Sequence, residues 1–166
     1  LHGWTPDGTH LILGSNRANP GSLDSYLFHV GLGRLRLAAV NDGTGSIADV
    51  SGDGRWALVS RVKSRGDSNV HLIGLEQRAD VLLTPHEPPG NFGNPRFSPD
   101  GRTVYLVSDL GRDLTALARV RLTADGESWK AGVPEPLEPL EIIAGRDDAE
   151  LSGFEITKVV LYAKAL

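Results

Sequence analysis

The sequence predicts an all-β protein made of repeated four-stranded units. One observation is a stretch that occurs three times, as "WTPDGTHLILGSNR" at 4–17, "VSGDGRWALVSRV" at 50–62 and "FSPDGRTVYLVSD" at 97–109. Its aspartates, Asp7, Asp53 and Asp100, stand 46 and 47 residues apart, and a period in the forties indicates a repeat architecture. A second observation is the composition, because 20 Gly and 10 Pro in 166 residues suit a chain with frequent tight turns.

The third unit begins with a hairpin. "NPRFS" (94–98) is predicted as its first strand and "PDG" (99–101) as the turn, in which Pro presets φ, Asp bonds the local backbone and Gly accepts a positive φ. "TVYLVS" (103–108) is predicted as the second strand, with Val104 and Leu106 on one face and Tyr105 and Val107 on the other. A strand that is apolar on both faces must be covered on both faces.

Two further strands complete the unit. "TALARVRL" (115–122) alternates apolar and charged residues, as expected of a strand nearer the surface, and "PLEII" (139–143) is predicted as the fourth strand. The first and second units likewise divide into four predicted strands. Stacking such sheets face to face around an axis covers both faces, which is the arrangement of blades in a β-propeller. An immunoglobulin-like sandwich has many short strands too, but no self-similarity at this period.

We therefore predict one partial β-propeller domain over residues 1–166, with no catalytic domain in it. Its blades are expected at about 1–43, 44–90 and 91–145, with an incomplete fourth at 146–166. Propellers have about four to eight blades, so three blades and part of a fourth leave the ring open. We expect either a fragment of a larger propeller, the alternative we favour, or closure by association into an oligomer.

The fourth unit departs from the others. "LSGFEIT" matches the strand before the turn and "VVLYA" the strand after it, yet Thr157 is followed directly by Lys158 where a turn triplet is expected. We expect residues to be missing at that junction. The Pro- and Glu-rich segment 124–139, inserted between the outer strands of the third unit, is expected to be a solvated loop.

Composition argues against several classes of partner. The net charge of −4 is spread without a basic patch, which is unlike the footprint of a nucleic-acid binder. No apolar run approaches the roughly 18 residues that cross a bilayer, so no membrane partner is expected. The absence of Cys excludes disulfides and thiolate metal sites. The compartment stays open, with the cytoplasm favoured over the periplasm.

The sequence predicts no catalytic, cofactor-binding or metal-binding residue, and no cofactor. No serine lies in a Gly-x-Ser-x-Gly nucleophile elbow, and the five histidines, His2, His10, His29, His71 and His86, do not stand at metal-ligand spacing. His10, His29 and His71 fall in predicted strands, where packing or surface roles are expected. His86, in the loop "TPHEPPGNFG", is the least structural of the five, although we expect no function there either. "GTGSIA" (43–48) resembles a dinucleotide-binding pattern but starts a blade, not a helix.

Side chains on the strands that start the blades decide whether the central channel of a propeller could be an active site. The strands that start the blades, "HGWT", "IADVS", "NPRFS" and "GFEIT", carry few titratable or charged side chains: His2, Asp49, Arg96 and Glu155. A lyase or hydrolase centred on the channel would need His and acidic residues clustered at these strands. The set is thin, so we rank this hypothesis last.

The repeats resemble those of TolB-like propellers and of the N-terminal propeller of the prolyl oligopeptidase family of serine peptidases. Residues 15–38, "SNRANPGSLDSYLFHVGLGRLRLA", and 84–122, beginning "TPHEPPGNFGNPRFSPDG", are similar to blades of the peptidases, including acylaminoacyl and dipeptidyl peptidases. The resemblance implies a propeller of seven or eight blades that caps an α/β-hydrolase domain and limits the size of its peptide substrates. It places the Ser, Asp and His of the catalytic triad in that other domain, so none is carried over to this chain. The alternative is a stand-alone TolB-like scaffold that binds other proteins.

Overall fold

The computed structural model describes residues 2–87, 89–122, 139–156 and 161–165. Three four-stranded antiparallel sheets follow one another along the chain, each with its strands in sequence order, and a two-stranded sheet follows them. The first sheet contains β1 (Gly3–Trp4), β2 (His10–Ser15), β3 (Asp24–His29) and β4 (Arg34–Ala39). The second contains β5 (Thr44–Val50), β6 (Trp56–Ser64), β7 (Asp67–Gly74) and β8 (Asp80–Leu82). The third contains β9 (Phe92–Phe97), β10 (Thr103–Ser108), β11 (Ala116–Arg121) and β12 (Glu141–Ala144), and the last β13 (Leu151–Ile156) and β14 (Leu161–Ala165).

This architecture confirms the predicted fold class of three four-stranded meanders and part of a fourth. "GTGSIA" begins strand β5, as expected, and is not followed by a helix. Within the described ranges there is no helix, and hence none long and apolar enough to span a bilayer. The junction of Thr157 with Lys158 lies outside the described residues, and so does the inserted segment except for Pro139.

The repeated Asp-Gly turn has the same construction in all three sheets. Gly8, Gly54 and Gly101 have φ of 69°, 71° and 72°, the left-handed backbone that the sequence predicted. The aspartate one position earlier accepts a hydrogen bond of 2.5–2.6 Å from the hydroxyl two residues before it. It also accepts one of 3.0–3.1 Å from the backbone N–H two residues after it. The hydroxyl and backbone donors hold the pKa of Asp7 at about 2, which keeps this carboxylate ionised. Turn geometry therefore accounts for the aspartates without a metal ion.

Apolar clusters fill the space between successive sheets. Ile12 and Leu27 of the first sheet pack against Ala57 and Val59 of the second. Residues on the opposite face of the second sheet, with Leu58 among them, pack against Val104, Leu106 and other residues of the third sheet. The other face of β10, with Tyr105 and Val107, packs against Leu151 and Phe154 of the last sheet. Strands β6 and β10 are thus covered on both faces, as the sequence predicted.

The interior of β6 provides a direct test of this packing. Leu58 is completely buried between the second and third sheets, so Leu58→Ala removes its contacts and leaves a cavity. We expect the free energy of unfolding, measured by urea denaturation, to fall by about 2–5 kcal/mol. Leu32→Ala is the matched control, because Leu32 lies in a turn and is 62% exposed; its effect should stay within about 0.5 kcal/mol. Equal losses in the two variants would contradict the stacked arrangement.

Candidate binding site on the first strands

The first strands of neighbouring sheets are joined directly by side chains. Asp49 of β5 accepts a hydrogen bond of 2.9 Å at Oδ2 from the backbone N–H of Phe97 in β9. In the opposite direction, Arg96 of β9 donates from Nη1 to the carbonyl oxygen of Ala48 in β5. The second and third sheets are therefore fastened together along their first strands.

The repeat explains why these side chains meet. Asp49 and Arg96 both lie two residues before the serine that opens the Asp-Gly turn, and Glu155 of β13 lies two residues before Thr157. The equivalent position in β1 is Gly3, which has no side chain to contribute. Because the Asp-Gly turns fix the positions of the strands before them, β5 and β9 present Asp49 and Arg96 at one level, and Glu155 stands at the corresponding sequence position of β13. The charges alternate from strand to strand.

A cavity of about 470 Å³ lies beside these residues. Its apolar lining consists of Phe97, Pro99, Phe154 and Ile156, in which both phenylalanines are buried. Its polar lining consists of Asp49, Asn94, Arg96 and Glu155. An apolar concave surface with a few convergent polar groups is the usual form of a small-molecule site.

Burial dominates the electrostatics of Asp49. Removal from water raises the pKa of this carboxyl above its ordinary value, and the bonds from the backbone N–H groups of Phe97 and Val50 oppose the rise in pKa. The positive charge of Arg96 also opposes the rise in the pKa of Asp49. Asp49 is therefore a partly desolvated carboxylate, held by two backbone donors and one neighbouring guanidinium.

Asn94 and Arg96 are the exposed polar groups on the β9 side of the cavity. Asn94 has a φ of 50°, one of only two left-handed residues other than glycine in the described part of the chain. Among the described residues, the carbonyl of Ala48 is the one hydrogen-bond partner of the Arg96 side chain. A guanidinium carries five N–H donors, so most of those on Arg96 face solvent or the cavity.

The structure thus unites three of the four side chains that the sequence analysis named on the starting strands. Asp49, Arg96 and Glu155 line one cavity, whereas His2 lies apart, with its ring beside Gly14 of the first sheet. Sequence reasoning missed Asn94 as a member of this site. Its position at the start of the predicted strand 94–98 gave no signal, because its backbone conformation depends on how β9 bulges against β10.

His86 fastens a connection between sheets. Its side chain is only 4% exposed, and its Nε2 lies 2.9 Å from Oδ1 of Asp67. Its Nδ1 lies 2.7 Å from the carbonyl oxygen of Thr84, and its ring lies 4.7 Å from that of Phe92. The bond from His86 is the main cause that lowers the pKa of Asp67. The ring thus connects Asp67, at the start of β7, to the loop that precedes β9.

The remaining histidines have structural surroundings. His71 lies in β7, and its Nδ1 is 2.7 Å from Asp80 and 3.0 Å from Arg61. His10 and His29 are cross-strand partners in β2 and β3, with ring centroids 4.7 Å apart. Among the residues the structure describes, no group of three or more His, Asp or Glu side chains could hold a metal ion.

The first sheet has an apolar face that no other described sheet covers, although Tyr26 on this face is only 7% exposed. The strand register places seven side chains on this face in two rows, Trp4, Leu11, Phe28 and Leu35 in one, and Leu13, Tyr26 and Leu37 in the other. Trp4, Leu35 and Leu37 are 55%, 41% and 47% exposed. The positions of Leu11 and Leu13 correspond in the repeat to Ala57 and Val59 in β6, which are completely buried against the preceding sheet.

The sequence matches no family model and no curated protein. The stacked meanders, joined through their first strands, define the class: the chain folds as part of a β-propeller.

Among solved structures, one from a study of two prolyl endopeptidases has a TM-score of 0.70 and 17% identity, over 98% of this chain and 24% of that chain. A putative TolB from Agrobacterium tumefaciens has a TM-score of 0.60 and 16% identity, over 96% of this chain and 62% of its own. TolB from Acinetobacter baumannii has a TM-score of 0.57 and 14% identity, over 82% of this chain and 31% of its own.

These similarities confirm, for the fold, the resemblance to TolB-like and prolyl oligopeptidase propellers that the sequence suggested. The chain spans only part of each of these structures, between 24% and 62% of their length.

The buried carboxyl of Asp49 gives a prediction about pH. Because its pKa is raised in the folded state, Asp49 favours folding below the ordinary aspartate pKa of 3.8, and this contribution is lost as the pH rises through the folded pKa. Asp49→Asn keeps an oxygen that can accept from Phe97 but cannot ionise. We expect the free energy of unfolding of Asp49→Asn, minus that of the unchanged chain, to increase as the pH is raised from 3 to 7. Asp42→Asn, at an exposed carboxylate, is the control; a flat difference for both variants would contradict the assignment.

The role of His86 is tested by its removal. We expect His86→Ala to lower the free energy of unfolding by about 1–3 kcal/mol, the cost of leaving buried polar partners unsatisfied. Hydrogen exchange of the amides of residues 90–92 should accelerate at the same time, because the connection to β9 loses its anchor. His2→Ala, at an exposed histidine, should change neither quantity. If both histidine variants behave alike, His86 does not fasten this connection.

Proposed function

We propose that this chain is a propeller segment of a serine peptidase of the prolyl oligopeptidase type, in which it limits the access of substrates to a hydrolase domain outside these residues. The observation that carries the proposal is the structural similarity to prolyl endopeptidase, which extends over 98% of this chain at a TM-score of 0.70. The two stretches of sequence that resemble peptidase blades, 15–38 and 84–122, support it independently.

The role that we propose is architectural. The described sheets are held together by apolar clusters and by the Asp49–Phe97 and Arg96–Ala48 bonds, so they form a stiff wall. A wall of this kind admits extended peptides and excludes folded proteins when a ring of blades encloses a channel. In this proposal the partner is the hydrolase domain of the same polypeptide, and the substrates are peptides.

The uncovered face of the first sheet favours a larger ring. Trp4, Leu35 and Leu37 expose much of their apolar surface on this face, which costs free energy in water, whereas the positions of the next two sheets that correspond to Leu11 and Leu13 are buried by a neighbouring sheet. We propose that a further blade covers this face in the complete protein. Oligomerisation would be the alternative means of covering it.

A second candidate function is a TolB-like scaffold that binds other proteins without catalysis. The two TolB structures with TM-scores of 0.60 and 0.57 favour it. In that case no hydrolase domain accompanies the propeller, and the exposed surfaces of the blades carry the function.

The two candidates are distinguished on the product of the complete gene. For the peptidase, we expect an intact mass well above the 17.8 kDa of these residues, together with covalent labelling by a fluorophosphonate probe at a serine outside them. Heat-denatured protein is the control, since labelling that survives denaturation is not that of an activated serine. A complete product without a labelled serine would refute the peptidase and leave the scaffold.

A further inference from the structure

We propose that the cavity between β9 and β13 binds a carboxylate that is carried on an apolar group. The site lies wholly within this chain, so the proposal does not rest on the peptidase function. The carboxylate belongs either to a small organic acid or to the C-terminus of a peptide, and the experiment below separates the two.

Arg96 supplies the charged contact. Its side chain is exposed at the cavity, and within the described structure only the carbonyl of Ala48 takes one of its donors. That bond fixes the guanidinium at the edge of the cavity and leaves its other N–H groups available to a ligand. Paired N–H donors of a guanidinium match the two oxygens of a carboxylate, and such bidentate, charge-assisted bonds are among the stronger ones in proteins.

Asn94 is a second donor on the same strand. Its left-handed backbone, with φ of 50°, is an uncommon conformation for a residue other than glycine, and such residues are concentrated at binding and active sites. Asn94 is exposed and lines the same cavity as Arg96, which lies two residues further along β9. A carboxylate bound to Arg96 can therefore accept from the Asn94 amide as well.

The apolar wall accommodates the rest of the ligand. Phe97 and Phe154 are buried side chains with a surface on the cavity, and Pro99 and Ile156 extend the apolar lining. The volume of about 470 Å³ is sufficient for a ring or a branched aliphatic group. Covering such a group from water supplies affinity that a carboxylate alone lacks.

The acidic side chains set the selectivity. Asp49 is occupied by the backbone N–H groups of Phe97 and Val50, and its charge attracts the Arg96 guanidinium toward this wall. Glu155 adds a negative charge on the β13 side. Repulsion by these two carboxylates disfavours a dianion such as phosphate, while one carboxylate opposite Arg96 is tolerated.

The proposal is tested by titration calorimetry on the 166-residue chain with 3-phenylpropionate, 3-phenylpropionamide and inorganic phosphate. We expect the acid to bind about tenfold more tightly than the amide, the ratio that one lost charge-assisted hydrogen bond produces, and phosphate not to compete. Equal affinity for acid and amide, no binding of the acid at millimolar concentration, or competition by phosphate would each overturn the proposal.

Variants assign the binding to these residues. Arg96→Gln should weaken binding of the acid about tenfold, whereas Arg102→Gln, at an exposed arginine of the same sheet that does not line the cavity, should leave it unchanged. Asn94→Gly suits the left-handed backbone, so it should preserve stability and weaken binding a few-fold. Urea midpoints of all variants verify that they fold. Equal effects of the two arginine variants would refute the site.

The source of the carboxylate is resolved by comparing the acid with the peptide Ala-Ala-Phe and its C-terminal amide. Tighter binding of the free-acid peptide than of 3-phenylpropionate identifies a peptide terminus, because the added residues contribute contacts. Equal or weaker binding of the peptide identifies a small organic acid. A peptide amide that binds as well as the free acid would contradict the role of Arg96.

Discussion

The fold depends on strands that are apolar on both faces. In β6, Ala57 and Val59 face the first sheet while Leu58 faces the third, and all three are fully buried. A sheet with such a strand at its centre cannot stand alone in water, since one face would always be exposed. Stacking of successive sheets follows directly, and the hydrophobic clusters between the sheets supply most of the stabilisation. The face of the first sheet that carries Leu11 and Leu13 shows the same constraint without a neighbour in the described structure to satisfy it.

The cavity on the first strands is a by-product of this stacking. Each Asp-Gly turn fixes where the strand before it ends, so the position two residues before the turn hydroxyl recurs at one level in the three four-stranded sheets. In the stacked structure these positions lie close enough for Asp49 to reach the backbone of Phe97. A side chain at this position therefore serves the joint between sheets, the cavity or both, according to its length and charge. Asp49 mainly serves the joint, and Arg96 divides its donors between Ala48 and the cavity.

Much of the fold could be read from the sequence, because the information was local. The turn chemistry of Asp7, Asp53 and Asp100 and the two-sided apolar pattern of 103–108 are expressed by neighbouring residues. The site was only partly predictable. The sequence named Asp49, Arg96 and Glu155 as side chains on starting strands, but their convergence depends on packing between units that are nearly fifty residues apart. The bond of His86 to Asp67 was likewise invisible, since it joins a loop to a strand through tertiary structure.

All the joints between sheets are built from one kind of surface. In β6 and β10, the same alternate positions face the preceding unit, and the remaining positions face the next one. A deletion or duplication of one whole period would therefore rejoin surfaces of the same kind, whereas a change of half a period would bring mismatched edges together. In evolutionary terms the length of this chain can vary in whole modules while the interior of each module is preserved.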